Sequence, residues 1–133
     1  MRWIIGGHAV TKQAASTSQM GRFETELLAS DENFAALNDL SGVWIDRVHD
    51  RRLPKMIILD MDPSVSPTHG DQEGTAYNGH FGCTCYHPLF LFNQFGDLER
   101  CSLRPSNVHS ADDWESVLNS VVVRYKGRKV RLY

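Results

Sequence analysis

Helical spacing of apolar residues predicts structure in the first half of the chain. After Ser30, a favourable helix N-cap, apolar residues recur every three or four positions as far as Val48, with an interruption at Ser41-Gly42. This pattern predicts two short helices or one kinked helix, ended by Pro54, because proline disfavours helix in the residue before it. The preceding stretch, residues 11–22, is polar and without period, and it predicts a loop or an extended arm.

A second helical pattern lies near the end of the chain. Ser110 is predicted to cap it within a capping box, S-A-D-D, whose third residue after the cap is Asp113. Gly127 is predicted to end the helix. The predicted apolar face is formed by Trp114, Val117, Leu118, Val121, Val122 and Tyr125.

Strand patterns fill the region between these helices. Met56–Leu59 is predicted to be a buried strand that continues into Asp60 and Asp62, followed by a long loop from Pro63 to Gly79. The stretches 80–93 and 98–103 are predicted to be strands joined by a turn at 94–97. Pro88 requires the first of these to be at an edge, bulged or split. Residues 129–133 predict the start of another strand, with Val130 and Leu132 on one face. The order of elements predicts an α/β fold, a mixed sheet with packed helices.

Composition limits the class of protein. The chain has 133 residues, of which 41% are hydrophobic and 23% charged, values typical of one globular domain. It has neither an apolar stretch long enough for a membrane span nor a signal peptide, so we expect no membrane partner and a cytoplasmic location. Three cysteines, an odd number, favour free thiols in a reducing compartment.

Charge is unevenly distributed. The net charge of −2 argues against nucleic-acid binding on composition alone. Five cations nevertheless lie in the last ten residues, namely Arg124, Lys126, Arg128, Lys129 and Arg131. One interpretation is favourable placement of cations at a helix C-terminus, followed by a solvated strand start. The other is a DNA-binding patch.

Asp60 and Asp62 are the candidate chemical groups. Side chains alternate along a strand, so both should point to the same face, about 7 Å apart. Two ionised carboxylates on a buried strand repel each other unless a cation or a donor offsets the repulsion. In a structural interpretation Asp62 caps the turn at Pro63 and Asp60 pairs with an arginine. In a functional interpretation they are ligands of Mg²⁺ or Mn²⁺ beside an open loop.

The stretch "IILDMDPSVSPTHGDQEGTAYNGHFGCTCYHPLFLFNQFGDLERCSLRPSNVHSADDW" resembles the catalytic domain of bacterial insertion-sequence transposases of the DDE class, with a group 1 DDE domain. The resemblance extends upstream through "AASTSQMGRFETELL" and "WIDRVHDRR". It implies a ribonuclease H-like fold and a cut-and-paste DNA transposase, in which three carboxylates hold two metal ions, Mg²⁺ or Mn²⁺. It also implies transposon-end DNA as the partner and a homo-oligomeric intact enzyme.

The resemblance assigns roles to particular residues. The family's first acid, followed by a small residue and a hydroxyl residue, fits Asp62-Pro63-Ser64 better than Asp60, which is the second choice. Residues 1–53 then precede the catalytic core, and 54–133 form its first part, truncated at the C-terminus. The other two acids are expected beyond Tyr133, since the possible substitutes, Asp97, Asp112 and Asp113, have structural roles in a turn and a helix cap. The chain is thus expected to be a fragment carrying the first acid, or alternatively a catalytically inactive remnant that at most binds DNA or another partner.

Two other groups of side chains are weaker candidates. His80, Cys83, Cys85 and His87 could supply zinc ligands, but they lack the second pair of ligands that structural zinc prefers. Small thiols packed in a sheet are the simpler interpretation. A nucleophilic pair of Cys83 or Cys101 with His109 has no supporting local motif.

Overall fold

Three α-helices, one π-helical segment and eight short strands occur in the computed structural model, which describes residues 15–133. The helices are α1 (Thr17–Arg22), the π-helical segment (Phe23–Leu28), α2 (Asp31–Arg51) and α3 (Trp114–Tyr125). The strands are β1 (Met56–Ile57), β2 (Leu59–Pro63), β3 (Ser66–Pro67), β4 (Ala76–Asn78), β5 (Cys83–Tyr86), β6 (Leu89–Asn93), β7 (Leu98–Ser102) and β8 (Arg131–Leu132). They form two compact units, one up to Leu37 and one from Asn38 to Tyr133. The expected boundary near residue 53 stays a prediction.

The first unit contains a helix where the sequence analysis predicted a loop. Ser16 forms a capping box with Gln19: the Ser16 hydroxyl accepts from the Gln19 amide at 3.2 Å, and the Gln19 side chain accepts from the Ser16 amide at 2.8 Å. These two bonds satisfy amides that a helix start leaves without partners, so the loop prediction is wrong for Thr17–Arg22. Residues 11–14 of that prediction lie outside the described part of the chain.

Helix α2 runs without a break through Ser41-Gly42 to Arg51. Ser30 caps it, since its hydroxyl accepts from the Asn33 amide at 3.4 Å. Of the two predicted alternatives, two short helices is wrong and a single helix is confirmed, because a mid-helix glycine costs only about 1 kcal/mol, which packing can offset. Gly42 is buried, and a Cβ there would lie 2.8 Å from the guanidinium carbon of Arg124. The glycine therefore allows the close approach of the Arg124 side chain.

The main sheet has the order β2-β6-β7, with β6 in the middle. β6 pairs antiparallel with β2, and β7 pairs antiparallel with β6. One residue, Ile58, separates β1 from β2. β1 pairs in parallel with β8, and Ile57 lies opposite Leu132. The Tyr133 carbonyl accepts from the Leu59 amide at 2.9 Å, which extends this pairing to the start of β2. The mixed α/β architecture is confirmed and is consistent with part of a ribonuclease H-like fold.

Helix α3 covers one face of this sheet. The core between them contains Ile57, Leu89, Leu91, Val117, Val121 and Tyr125. Leu118, Val130 and Leu132 pack at its margin, so the predicted face of α3 and the predicted inward side of the last strand are confirmed in outline. Trp114 and Val122 are exposed instead. None of the helices in residues 15–133 is both long enough and apolar enough to cross a membrane.

The start of α3 differs from the prediction. Its N-cap is Asp113, in the left-handed region at φ 58°, without a side-chain capping bond, rather than Ser110. The guanidinium of Arg104 is buried and donates to the carbonyls of Ser110 at 3.2 Å and Asp112 at 2.6 Å. This segment therefore wraps around Arg104 before the helix can begin. The predicted stop is confirmed, because Gly127 adopts φ 86°, which favours glycine.

A second, smaller sheet lies between β2 and β6 in the chain. Its order is β3-β5-β4, so the predicted loop from Pro63 to Gly79 in fact contains two short strands. Pro88 separates β5 from β6, which confirms that the predicted long strand is split there.

Candidate active site

Asp60 and Asp62 lie on the face of β2 that α3 does not cover. Leu59 and Met61 alternate with them and pack against the core, whereas both aspartates are exposed. The expectation that the two carboxylates share one face is confirmed. The expectation of a fully buried strand is wrong, since Ile58, on the same face as the acids, is 44% exposed. A one-sided strand lets both acids keep much of their hydration.

The neighbours of the two carboxylates on this face are aromatic. Asp60 pairs across the strands with Phe92, and Asp62 pairs with Phe90. Directly opposite residues of an antiparallel pair share a face, so the phenylalanines stand beside the acids. The two rings are stacked with centroids 6.0 Å apart. The acids thus border a half-buried apolar surface on one side.

Neither carboxylate has an ion pair or a hydrogen bond to another residue in 15–133. The structural interpretation, an arginine on Asp60 and a turn cap on Asp62, therefore has no support in the described residues. Two carboxylates two residues apart on a strand, about 7 Å from each other, fit a divalent cation as partial oxygen ligands. No group of three or more His, Cys, Asp or Glu residues within 15–133 could complete a metal site.

The possible substitute acids lie elsewhere and have other partners. Asp97 follows β6 at the end of the sheet near Leu59, and its carboxylate accepts from the Asn93 amide group at 3.3 Å. The Asp112 carboxylate accepts from the His109 amide at 2.8 Å, and Asp113 is the cap of α3. The contacts of Asp97 and Asp112 agree with the structural roles expected from the sequence, whereas Asp113 occupies the N-cap position without the expected side-chain capping bond.

The cysteine and histidine candidates are not brought together as an active site. Partial burial and the neighbouring Cys85 thiol raise the pKa of Cys83, the opposite of the shift that activates a nucleophilic thiol. The His109 ring accepts from the Ala111 amide at 3.1 Å through Nδ1. Burial and the Arg104 charge lower the pKa of His87, a buried residue that directly follows β5 in the chain. Within the described residues these groups form neither a metal cluster nor a catalytic pair.

Comparison with known proteins identifies the family. The model of the family described as transposase DDE domain, group 1, matches residues 1–132. The chain belongs to this family. DDE transposases act on DNA and generally depend on divalent metal ions, which agrees with a pair of exposed carboxylates on β2 of this transposase domain. No curated protein and no solved structure gives a significant match.

The five basic residues predicted as a possible DNA-binding patch of the transposase domain, which lie between Arg124 and Arg131, fall into two groups. Arg124 forms ion pairs with Glu99 and Asp46, and Arg128 pairs with Asp46 and Asp50. These two arginines therefore connect α3 and the loop after it to α2 and β7. The other three, Lys126, Lys129 and Arg131, are exposed and have no ion pair within residues 15–133.

Two features of this transposase domain were not predicted from the sequence. The first is a buried polar network around Glu99, which joins Arg124, Tyr125, Asn93 and, through Tyr125, His49. The second is Lys55, which lies beside the basic residues before β8 because β1 and β8 pair in parallel. Both features depend on contacts between residues distant in sequence, so local patterns carry no signal for them.

Proposed function

We propose that this chain is the first part of the catalytic core of a cut-and-paste DNA transposase, with Asp62 as a metal ligand and Asp60 as the second choice. The observation that supports this most directly is the pair of unpartnered carboxylates on the exposed face of β2 in a chain of this family. Residues 54–133 are proposed as the core and residues 1–53 as the region before it. The proposal includes transposon-end DNA as the substrate, a homo-oligomeric intact enzyme and a cytoplasmic location.

Asp62 and Asp60 would hold the divalent ion, Mg²⁺ or Mn²⁺, through carboxylate oxygens, the ligands that such ions prefer. When bound, such ions lower the pKa of a water or a DNA 3′-hydroxyl and stabilise the leaving oxygen of the phosphoryl transfer. The protein's own contribution is position. β2 pairs with β6 along its whole length, and at its start the Leu59 amide donates to the Tyr133 carbonyl, so β6 holds the backbone that carries the acids.

The remaining acids are proposed to follow β8. Because β8 runs parallel to β1 and the Tyr133 carbonyl already bonds to the Leu59 amide, a strand that continued beyond Tyr133 would run beside Leu59–Asp62. An acid there would stand next to Asp60 and Asp62, where the family resemblance places the second carboxylate.

Metal binding tests the assignment of Asp62 in this chain. On titration with Mn²⁺, a paramagnetic ion, the amide NMR signals of residues around Asp62 should broaden first. Asp62→Asn should remove this effect, and Glu115→Gln, an exposed acid on the helix that covers the opposite sheet face, should leave it unchanged. Equal broadening in wild type and Asp62→Asn would contradict the assignment. In an enzyme that carries all three acids, Asp62→Asn should abolish strand cleavage while leaving the fold intact.

A second candidate function is that of an inactive remnant that binds DNA or another partner. It is favoured by one observation, that no set of three metal-binding groups occurs within residues 15–133. Both candidates predict that the purified 133-residue chain neither cleaves nor joins DNA with Mg²⁺ or Mn²⁺, because two carboxylates leave two ions mostly hydrated. Metal-dependent nicking by this chain, lost in Asp62→Asn, would overturn that expectation.

A further inference from the structure

A cavity of about 610 Å³ opens between the start of β1 and the residues that lead into β8. Four of the six residues that line it are cationic, Lys55, Arg128, Lys129 and Arg131, and the other two are Met56 and Val130. The Arg131 amide donates to the Lys55 carbonyl at 3.2 Å, so the two segments are held together by the backbone. Val130 and Leu132 pack towards the core, which directs Lys129 and Arg131 outward.

Three further cations lie close in sequence to the residues that line this cavity. Arg51 and Arg52 end α2 a few residues before Lys55, and Lys126 follows α3 just before Arg128. Arg128 is neutralised within the protein, because it pairs with Asp46 and Asp50. Lys55, Lys129 and Arg131 are exposed and have no ion pair within residues 15–133, so they give the lining of the cavity a positive surplus in a chain whose net charge is −2.

We propose that this basic cavity binds the phosphate backbone of DNA, away from the carboxylates of β2. An extended nucleic acid fits better than a small anion because Lys55, Lys129 and Arg131 are exposed and spread over two chain segments, and the lining residues include no buried donor set that would enclose a single phosphate. The proposal rests on the proposed function for its choice of DNA. It replaces the contiguous cluster Arg124–Arg131 by a surface that includes Lys55 and excludes Arg124 and Arg128, whose charges are neutralised by ion pairs within the protein.

The position of the cavity gives the proposal a geometric consequence. Met56 and Asp62 lie six residues apart along nearly continuous strands, a separation of about 20 Å. B-form DNA advances about 3.4 Å per base pair. A duplex with its reacting phosphate at Asp62 could therefore place its backbone at the cavity about six base pairs away. The surface would then hold flanking DNA without taking part in the chemistry.

The test is the salt dependence of DNA binding by the full chain, measured without metal. A fluorescein-labelled 30-base-pair duplex would be titrated with protein, and binding followed by fluorescence anisotropy between 50 and 200 mM KCl. The double variant Lys129→Gln/Arg131→Gln should bind more weakly, and the slope of log affinity against log salt should become shallower by about 1 for each cation removed. Lys55→Gln alone should reduce the slope by about 1.

A charge-matched control separates this surface from net charge. Arg22→Gln/Arg47→Gln removes two exposed cations outside the cavity and should leave the slope unchanged. Asp62→Asn should also leave it unchanged, so failure of the metal assignment and failure of this proposal are distinguishable. Equal losses in the two double variants, or no DNA binding by wild type at 50 mM KCl, would overturn the proposal. Competition by poly-glutamate as strong as by unlabelled duplex, at equal charge concentration, would overturn the choice of DNA.

Discussion

Glu99 is the residue whose replacement tests the core of the second unit most directly. It lies on β7 and is 1% exposed. Its carboxylate accepts from the Tyr125 hydroxyl at 2.8 Å and from the Asn93 amide group at 2.8 Å, and it forms an ion pair with Arg124. Glu99 thus joins β6, β7 and α3, and Arg124 continues the connection to Asp46 on α2.

Glu99→Ala would leave a half-buried guanidinium and two buried donors without their acceptor. Removing one partner of a buried ion pair typically costs about 3–5 kcal/mol, and we expect a free-energy cost in this range. Asp46 still compensates part of the Arg124 charge, which keeps the cost from exceeding that range. Glu99→Gln retains an acceptor oxygen for Tyr125 or Asn93 and should cost less. Since small domains are stable by about 5–15 kcal/mol in total, the alanine variant should be close to unfolding.

Urea denaturation followed by tryptophan fluorescence measures this cost. With a slope of about 2 kcal/mol per M, the midpoint of Glu99→Ala should fall by roughly 1.5–2.5 M. Asp39→Asn is the matched control, because Asp39 also pairs with an arginine, Arg100, but its side chain is 64% exposed. Such a surface pair contributes about 0–1 kcal/mol. A midpoint for Glu99→Ala as close to wild type as that of the control would refute the buried network.

Three further predictions concern packing and pH. Leu91→Ala, in the core, should cost about 2–5 kcal/mol by urea denaturation, and Leu118→Ala, half-buried at the margin, clearly less; equal costs would contradict the packing. Gly42→Ala should displace Arg124 and destabilise the protein, although alanine favours helix; a gain in melting temperature would contradict this contact. Burial lowers the pKa of His49 from 6.5, so below that pH the unfolded state binds a proton that the folded state does not. Stability should therefore fall as the pH drops below 6.5, and it should fall less in His49→Asn, as thermal melting from pH 8 to 5 would show.

Local patterns were sufficient for those parts of the fold that depend on neighbouring residues. The face of α3, the split at Pro88 and the shared face of Asp60 and Asp62 follow from helical spacing, proline chemistry and strand alternation. The errors occur where a distant side chain intervenes. Arg104 holds the carbonyls of the segment before α3 and delays the helix start. The continuity of α2 through Gly42 likewise depends on packing against Arg124, a residue distant in sequence.

In the candidate site, too, the features that depend on neighbouring residues could be predicted and those that depend on distant residues could not. That Asp60 and Asp62 are neighbours could be predicted, because only two residues separate them. Their exposure could not, because it depends on which sheet face α3 covers. The proximity of Lys55 to Arg131 was equally unpredictable, since a parallel register between strands far apart in sequence leaves no local trace.

The exposed carboxylates are nevertheless positioned by the core. Asp62 pairs with Phe90, whose neighbours on β6, Leu89 and Leu91, are each 1% exposed beneath α3. Because side chains alternate along β6, the packing of these leucines fixes the backbone that holds the acids on the opposite face. A cavity at Leu91 should therefore loosen the carboxylate pair before the protein unfolds. In such a variant we expect Mn²⁺ to broaden the signals around Asp62 at higher concentrations than in wild type, under conditions where both are folded. Unchanged metal affinity in a folded but destabilised Leu91→Ala would show that β2 keeps its geometry without support from the core.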